Sequence, residues 1–280
     1  MFDLTQFYLF ELVVMRITGF VALTPLLGRN NVPGIVKAGF TLVLSYFVMG
    51  IVGEGPEAPQ STTALILTLL LELGVGLVIG FLMRITFSVV QTGGEIIDAQ
   101  MGMTMAQTYD ASSQTNMSVS ASLLHLLMML NFFAENGHYT LLRILLLSGD
   151  AVPYGTVTLG EGIADYVVQI FLSCIVLSLK LAMPILVAEL LGEVGMGILM
   201  KAIPQINAFV INIELKVIIG LVLLFLFLTP INEFLLGIES EMLDQIAYAL
   251  QVIGAGGWAV PPAVERYGSV VVKLGGQLQN

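Results

Sequence analysis

From Thr62 to Val90 the chain carries only two charged residues, Glu72 and Arg84, within an otherwise apolar run. A run of that length is long enough to cross the roughly 30 Å hydrocarbon core of a bilayer. Comparable blocks recur at about residues 4–27, 38–52, 119–147, 163–200 and 213–228. Charged residues make up 11% of the 280-residue chain and hydrophobic ones 57%. A soluble domain carries about 25% charged residues, so this chain cannot cover a water-facing surface. The blocks do not alternate as barrel strands do. The expected fold is therefore all-α: a polytopic membrane protein with about six long hydrophobic helices, some of them broken.

Between the third and fourth blocks lies QTGGEIIDAQMGMTMAQTYDASSQTNM, residues 91–117. It is too poor in charge for a water-exposed loop and too rich in hydrogen-bonding groups for lipid. Irregular polar backbone survives at membrane depth only where protein buries it or where it lines a wet cavity. This stretch is accordingly expected to line or close a passage. Gly93, Gly94 and Gly102 would give its backbone freedom. Met101, Met103 and Met105 alternate, which in an extended chain puts three pliable thioethers on one side, suited to a seal. Ordinary core filling accounts for methionines there equally well.

Other features narrow the function. A net charge of −10 disfavours nucleic acid and simple adhesion to anionic lipid. The lone Cys174 forms no internal disulfide, and the N-terminus, without an early basic residue, reads as a retained first helix. Gly76 and Gly80 have the GxxxG spacing that allows close helix approach. Arg29 with Lys37 and Lys201 with Lys216 flank two links, while acidic links at 53–60 and 149–165 fall opposite; six crossings would put both termini outside. A break is expected at Pro184; beyond Gly237 the chain turns acidic, and the glycine- and proline-rich stretch 254–280 is expected to be a loosely ordered tail.

Glu72, Arg84, Glu135, Arg143, Lys180, Glu189 and Glu193 sit within or beside apolar blocks, at about 2.5–3.5 kcal/mol each at a helix centre. Arg84 and Arg143 can reach the interface. Glu189 and Glu193, one turn apart, are expected to be buried against a neighbouring subunit. Glu135 and His138 superficially suggest a metal pair, but no zinc-binding motif accompanies them, and Asn136-Gly137 reads as a helix end. No cofactor or metal is expected, and nucleophile, base and phosphate-cradling motifs are missing, so an enzyme is not expected.

The ordered series GEIIDAQMGMTMAQTYDASSQTNMS, then LLHLLMMLNFFAENGHYTLLRIL, with TPLLGRNNVPGIVKAGF earlier, resembles the FliR family of flagellar biosynthetic proteins, over about Phe7 to Leu250. The stretch 163–240 is similar to the helical hairpin of FliQ, with Pro184, Gly192, Pro204, Gln205, Asn207, Lys216 and Pro230 in the shared order. Residues 1–162 would then correspond to FliP, and 241–280 form a C-terminal tail.

The resemblance implies a non-enzymatic subunit of the type III secretion export gate in the bacterial inner membrane, at the flagellar basal body. It implies assembly with FliP and FliQ, FlhB at the base, and passage of unfolded flagellar proteins. It puts a plug at 102–117, with Gly102, Met103, Met105, Ala106, Tyr109, Asp110 and Met117 contributing. Pro204, Gln205 and Asn207 would form a turn contacting FlhB or FliQ. The family often has an aromatic at the position of Thr108 and a proline at that of Ala111; Tyr109 could supply the ring. The competing readings are a stand-alone secondary transporter, for which broken helices and intramembrane charges are also expected, and an intramembrane metalloenzyme built on Glu135 and His138.

Overall fold

The computed structural model of this chain describes residues 4–28, 32–53, 55–103, 108–110, 115–157, 161–202 and 208–254. Among them the chain is helical apart from connections and one pair of three-residue strands. The helices are α1 (Leu4–Leu23), α2 (Gly34–Val52), α3 (Thr62–Met101), α4 (Val119–Ala134), α5 (Gly137–Leu146), α6 (Ser148–Ala151), α7 (Glu161–Ala202), α8 (Ala208–Leu226) and α9 (Leu228–Gly254). The strands β1 (Thr108–Asp110) and β2 (Thr115–Met117) lie between α3 and α4.

Among the described residues, four helices, α1, α2, α3 and the Gly162–Leu199 part of α7, are long and apolar enough to cross a membrane; a bent α8–α9 pair would make a fifth. The difference from six crossings lies mainly in the fourth block. Glu135 caps α4 and Asn136 takes the left-handed conformation (φ 58°), so that block divides into helices too short to span. Pro184, expected to break the fifth block, instead lies inside α7. It removes one backbone hydrogen bond, yet Ala182 and Ile185 beside it are fully buried, and packing holds the helix through the gap. At Phe227, α8 and α9 meet at 60°. Pro230 stands in the first turn of α9, where a missing N–H leaves nothing unpaired. From there α9 runs to Gly254, burying Ile231, Leu235, Ile238, Met242, Ile246 and Leu250 at helical spacing. Residues 241–254 are thus helix, not tail; residues 255–280 lie outside the described set.

The described residues divide into two compact units with interleaved sequence: those within 1–85, 136–171 and 239–280 form one, and those within 86–135 and 172–238 the other. In the first, Leu9, Leu12, Val13, Ile17 and Phe20 of α1 are buried. Here α1 meets the first half of α3 at backbone contact. A Cβ on Gly76 would overlap the Arg16 carbonyl, and one on Gly80 would lie 2.8 Å from the Phe20 carbonyl. The GxxxG spacing therefore marks a real close approach. Arg16 lies beside it, fully buried, its Nε donating to Glu72 Oε2 at 2.7 Å. Its other nitrogens donate to Ser148 Oγ (3.1 Å) and the Val152 carbonyl (2.9 Å), and the Tyr154 ring covers it at 4.0 Å. The Gly155 N–H donates to the second Glu72 oxygen at 2.9 Å.

In the second unit the latter half of α3 packs against α4 and α7. A Cβ on Gly94 would overlap the Ala121 backbone, and one on Gly93 would lie 2.8 Å from Leu181 Cδ2. Phe87 meets His125 and Phe132 edge-on, and Asn131 Nδ2 donates to Asn232 Oδ1 at 2.9 Å.

Candidate functional site

The segment 102–117 is framed by two helix ends held together at its base. α3 stops because Gly102 turns left-handed (φ 76°), its N–H donating to the Ala99 carbonyl. On the far side Ser118 caps α4, its Oγ accepting from the Ala121 N–H at 3.4 Å. Asp98, one turn before the end of α3, joins the two. Its Oδ2 accepts from the Ser120 N–H at 2.9 Å, and its Oδ1 accepts from the Ser120 hydroxyl. Asp98 is buried, and a carboxylate there suits the positive end of α4. Above this base the chain forms an antiparallel hairpin pairing Thr108 with Met117, Tyr109 with Asn116 and Asp110 with Thr115.

The expected plug is therefore partly regular. Residues 91–101 belong to α3, so Gly93 and Gly94 are not loop glycines; they are where α7 and α4 come within backbone distance of α3. Met101 ends the helix fully buried, and Met103 follows Gly102 half-buried. Tyr109, Asp110 and Met117 lie in the strands. Met105 and Ala106, like Pro204, Gln205 and Asn207, fall outside the described residues.

Glu189 and Glu193, expected at a subunit contact, form a polar cluster inside the second unit. Glu193 pairs with Lys216 of α8, and Gln100 Nε2 of α3 reaches its Oε1 at 3.5 Å. Both members of that ion pair keep partial exposure. Glu189 is 2% exposed, and neither carboxylate oxygen has a hydrogen-bond partner. It lies against Gly220: a Cβ there would stand 2.5 Å from Glu189 Oε1 and 2.7 Å from Met101 Sδ. A small cleft opens here, lined by Glu189, Gly192, Glu193, Met196, Lys216 and Ile219.

Among the described residues no three His, Cys, Asp or Glu side chains converge to hold a metal ion. Glu135 is exposed at the end of α4, and His138 stacks on Tyr139 at 4.1 Å. Sequence reasoning missed Asp98 and Ser120 as a clamp and Arg16 as the partner of Glu72. An Asp followed some twenty residues later by Ser-x-Ser at a helix start was the available signal for the clamp.

A family model described as bacterial export proteins, family 1, matches residues 7–242. The chain belongs to that family. Flagellar biosynthetic protein FliR of Escherichia coli (strain K12) is 27% identical over 239 residues, covering 84% of this chain and 89% of its own length. FliR of Bacillus subtilis (strain 168) is 24% identical over 248 residues, covering 88% and 95%. The Yop proteins translocation protein T of Yersinia pestis is 25% identical over 247 residues, with 87% and 95% covered. Membership spans the clamp, the hairpin and the polar cluster alike. This bacterial export protein is thus similar to both flagellar and Yop-translocating members along most of its length.

Proposed function

We propose that this chain is a non-enzymatic structural subunit of a flagellar type III secretion export gate in the bacterial inner membrane, passing unfolded flagellar proteins. In this reading it assembles with FliP and FliQ, has FlhB at its base, and contributes segment 102–117 as the plug. The observation that carries it is the clamped hairpin in a member of the bacterial export family. A two-stranded hairpin without a hydrophobic face of its own is marginal in isolation. Rooted on Asp98 and Ser120, it can swing or part while its base stays fixed.

Met103, Met105, Ala106, Tyr109 and Met117 supply the pliable, ring-bearing surface that closes on a partner, and Asp110 stays at the hairpin's turn end. Gly102 makes the turn out of α3. Pro204, Gln205 and Asn207 form the contact with FlhB or FliQ. Glu193 meets a neighbouring subunit, a role that its partial exposure beside Lys216 supports. The long rows of exposed apolar residues support assembly, since α2 alone exposes Ile35, Leu42, Val43, Tyr46, Phe47 and Ile51.

The test is purification of the tagged full-length chain in mild detergent from cells expressing the whole export apparatus. The gate reading expects FliP and FliQ to accompany it in fixed proportion. Recovery alone, or as a small homo-oligomer, rejects that reading in favour of a secondary transporter.

A further inference from the structure

Glu189 is the one acid among the described residues of the second unit whose buried carboxylate oxygens both lack a hydrogen-bond partner. It stands inside a helix apolar enough to span a membrane. A bare carboxylate buried without a partner is costly enough that such a group ordinarily neutralises instead. The charged groups around it do not offset that cost. On its own helix Glu193, one turn away, is a second acid. On α8 the cation Lys216 is already paired with Glu193. On α3 Gln100 reaches Glu193, and Asp98 is held by Ser120. Two acids thus share one base. Gly220 of α8 and Met101 of α3 present no charge to Glu189.

Location gives this carboxyl its significance. Met101 is the last residue of α3, immediately before Gly102 and the hairpin, and its thioether crowds the same face of Gly220 as Glu189 Oε1. We propose that Glu189 is a proton-binding carboxyl at the root of segment 102–117, holding its proton while Met101 is seated and releasing it when Met101 withdraws. The seated thioether excludes water from the carboxyl. Once it moves, the cleft shared with Lys216 lets water and the ammonium reach an ionised Glu189. Proton affinity and segment position are then linked in both directions: deprotonation favours the displaced segment, and protonation the seated one. The structural step is loss of the carboxyl O–H proton to water, with no other bond made or broken. The coupling rests on the plug reading above, while the proton site stands without it.

Infrared difference spectroscopy on the full-length chain, purified with whatever partners accompany it, tests the proton site. Lowering the pH should bring up a protonated-carboxyl band that is lost in Glu189→Gln, kept in Glu193→Gln, and shifted but still titrating in Glu189→Asp. A spectrum that Glu189→Gln leaves unchanged overturns the proposal. The coupling is read from thiol labelling of Met103→Cys in a Cys174→Ala background. Labelling should accelerate with pH beyond the ordinary thiol response, and Glu189→Gln should remove that excess. Equal pH profiles with and without Glu189→Gln overturn the coupling. If deleting residues 106–113 leaves membrane permeability unchanged while the carboxyl band persists, the plug reading fails and the proton site survives.

Discussion

Arg16 and Glu72 are both fully buried, and each lies within a helix long enough to cross a membrane. Neither is tolerable alone. Together with Ser148, the Val152 carbonyl, the Gly155 N–H and the Tyr154 ring, every charged nitrogen and oxygen has a counterpart. Such a group specifies one arrangement of α1, α3 and the α6 connection, because any other leaves a charge unpaired. Arg16→Met and Glu72→Met singly should each therefore lower the unfolding free energy by about 3–5 kcal/mol, whereas the two together should lose much less than either single change. Thermal unfolding of the four proteins in one detergent gives the comparison; additive losses would show the pair to be uncoupled. Asp98 works at the same scale in the other unit. Asp98→Ala removes the acceptor for two Ser120 donors at the start of α4. It should cost about 1–2 kcal/mol and speed limited proteolysis within 102–117, whereas Ser122→Ala, which loses only a hydroxyl bond to the Ser118 carbonyl, should not.

Helix α3 shows how much an element's sequence reveals. Its apolar run was legible as a span, and Gly76 with Gly80 as a packing notch, because burial in lipid and close helix approach leave direct composition signals. Its last eleven residues were not legible as helix. Gly93 and Gly94 lower helix propensity, and only packing against Leu181 and Ala121 turns that loss into a close contact. Hydropathy alone likewise could not divide residues 119–147; the legible sign was Asn136-Gly137 as a helix end, and left-handed Asn136 does end the run there. Nor could it show that Glu189 and Glu193 would differ, one partnered by Lys216 and one not, since that depends on α8 coming alongside α7. The hairpin escaped notice because three-residue strands rich in Thr, Tyr, Asn and Asp carry no period to read. Gly94→Val follows from the same contact. The added side chain meets Ala121 backbone, which cannot rotate away, so α4 must shift and the Asp98–Ser120 base should open. Proteolysis should then resemble that of Asp98→Ala; a wild-type pattern would mean that α3 and α4 can part there without disturbing the base.

At the scale of the molecule, the described residues combine four helices long and apolar enough to cross a membrane with one polar segment whose ends Asp98 and Ser120 hold together. Apolar side chains remain exposed along α2, α7 and α8, far more than a lone soluble domain would leave uncovered. In the proposed reading, lipid and neighbouring export proteins together cover that surface, which membership in the bacterial export family supports. What distinguishes this chain from any other membrane bundle, in that proposed reading, is that its irregular segment keeps a passage shut. The most direct measurement is ion leakage across the membrane of cells carrying the assembled apparatus with residues 106–113 deleted, compared with wild type and with cells lacking the chain. The account predicts leakage well above both. Leakage equal to that of wild-type cells, from an apparatus shown to assemble, would contradict it.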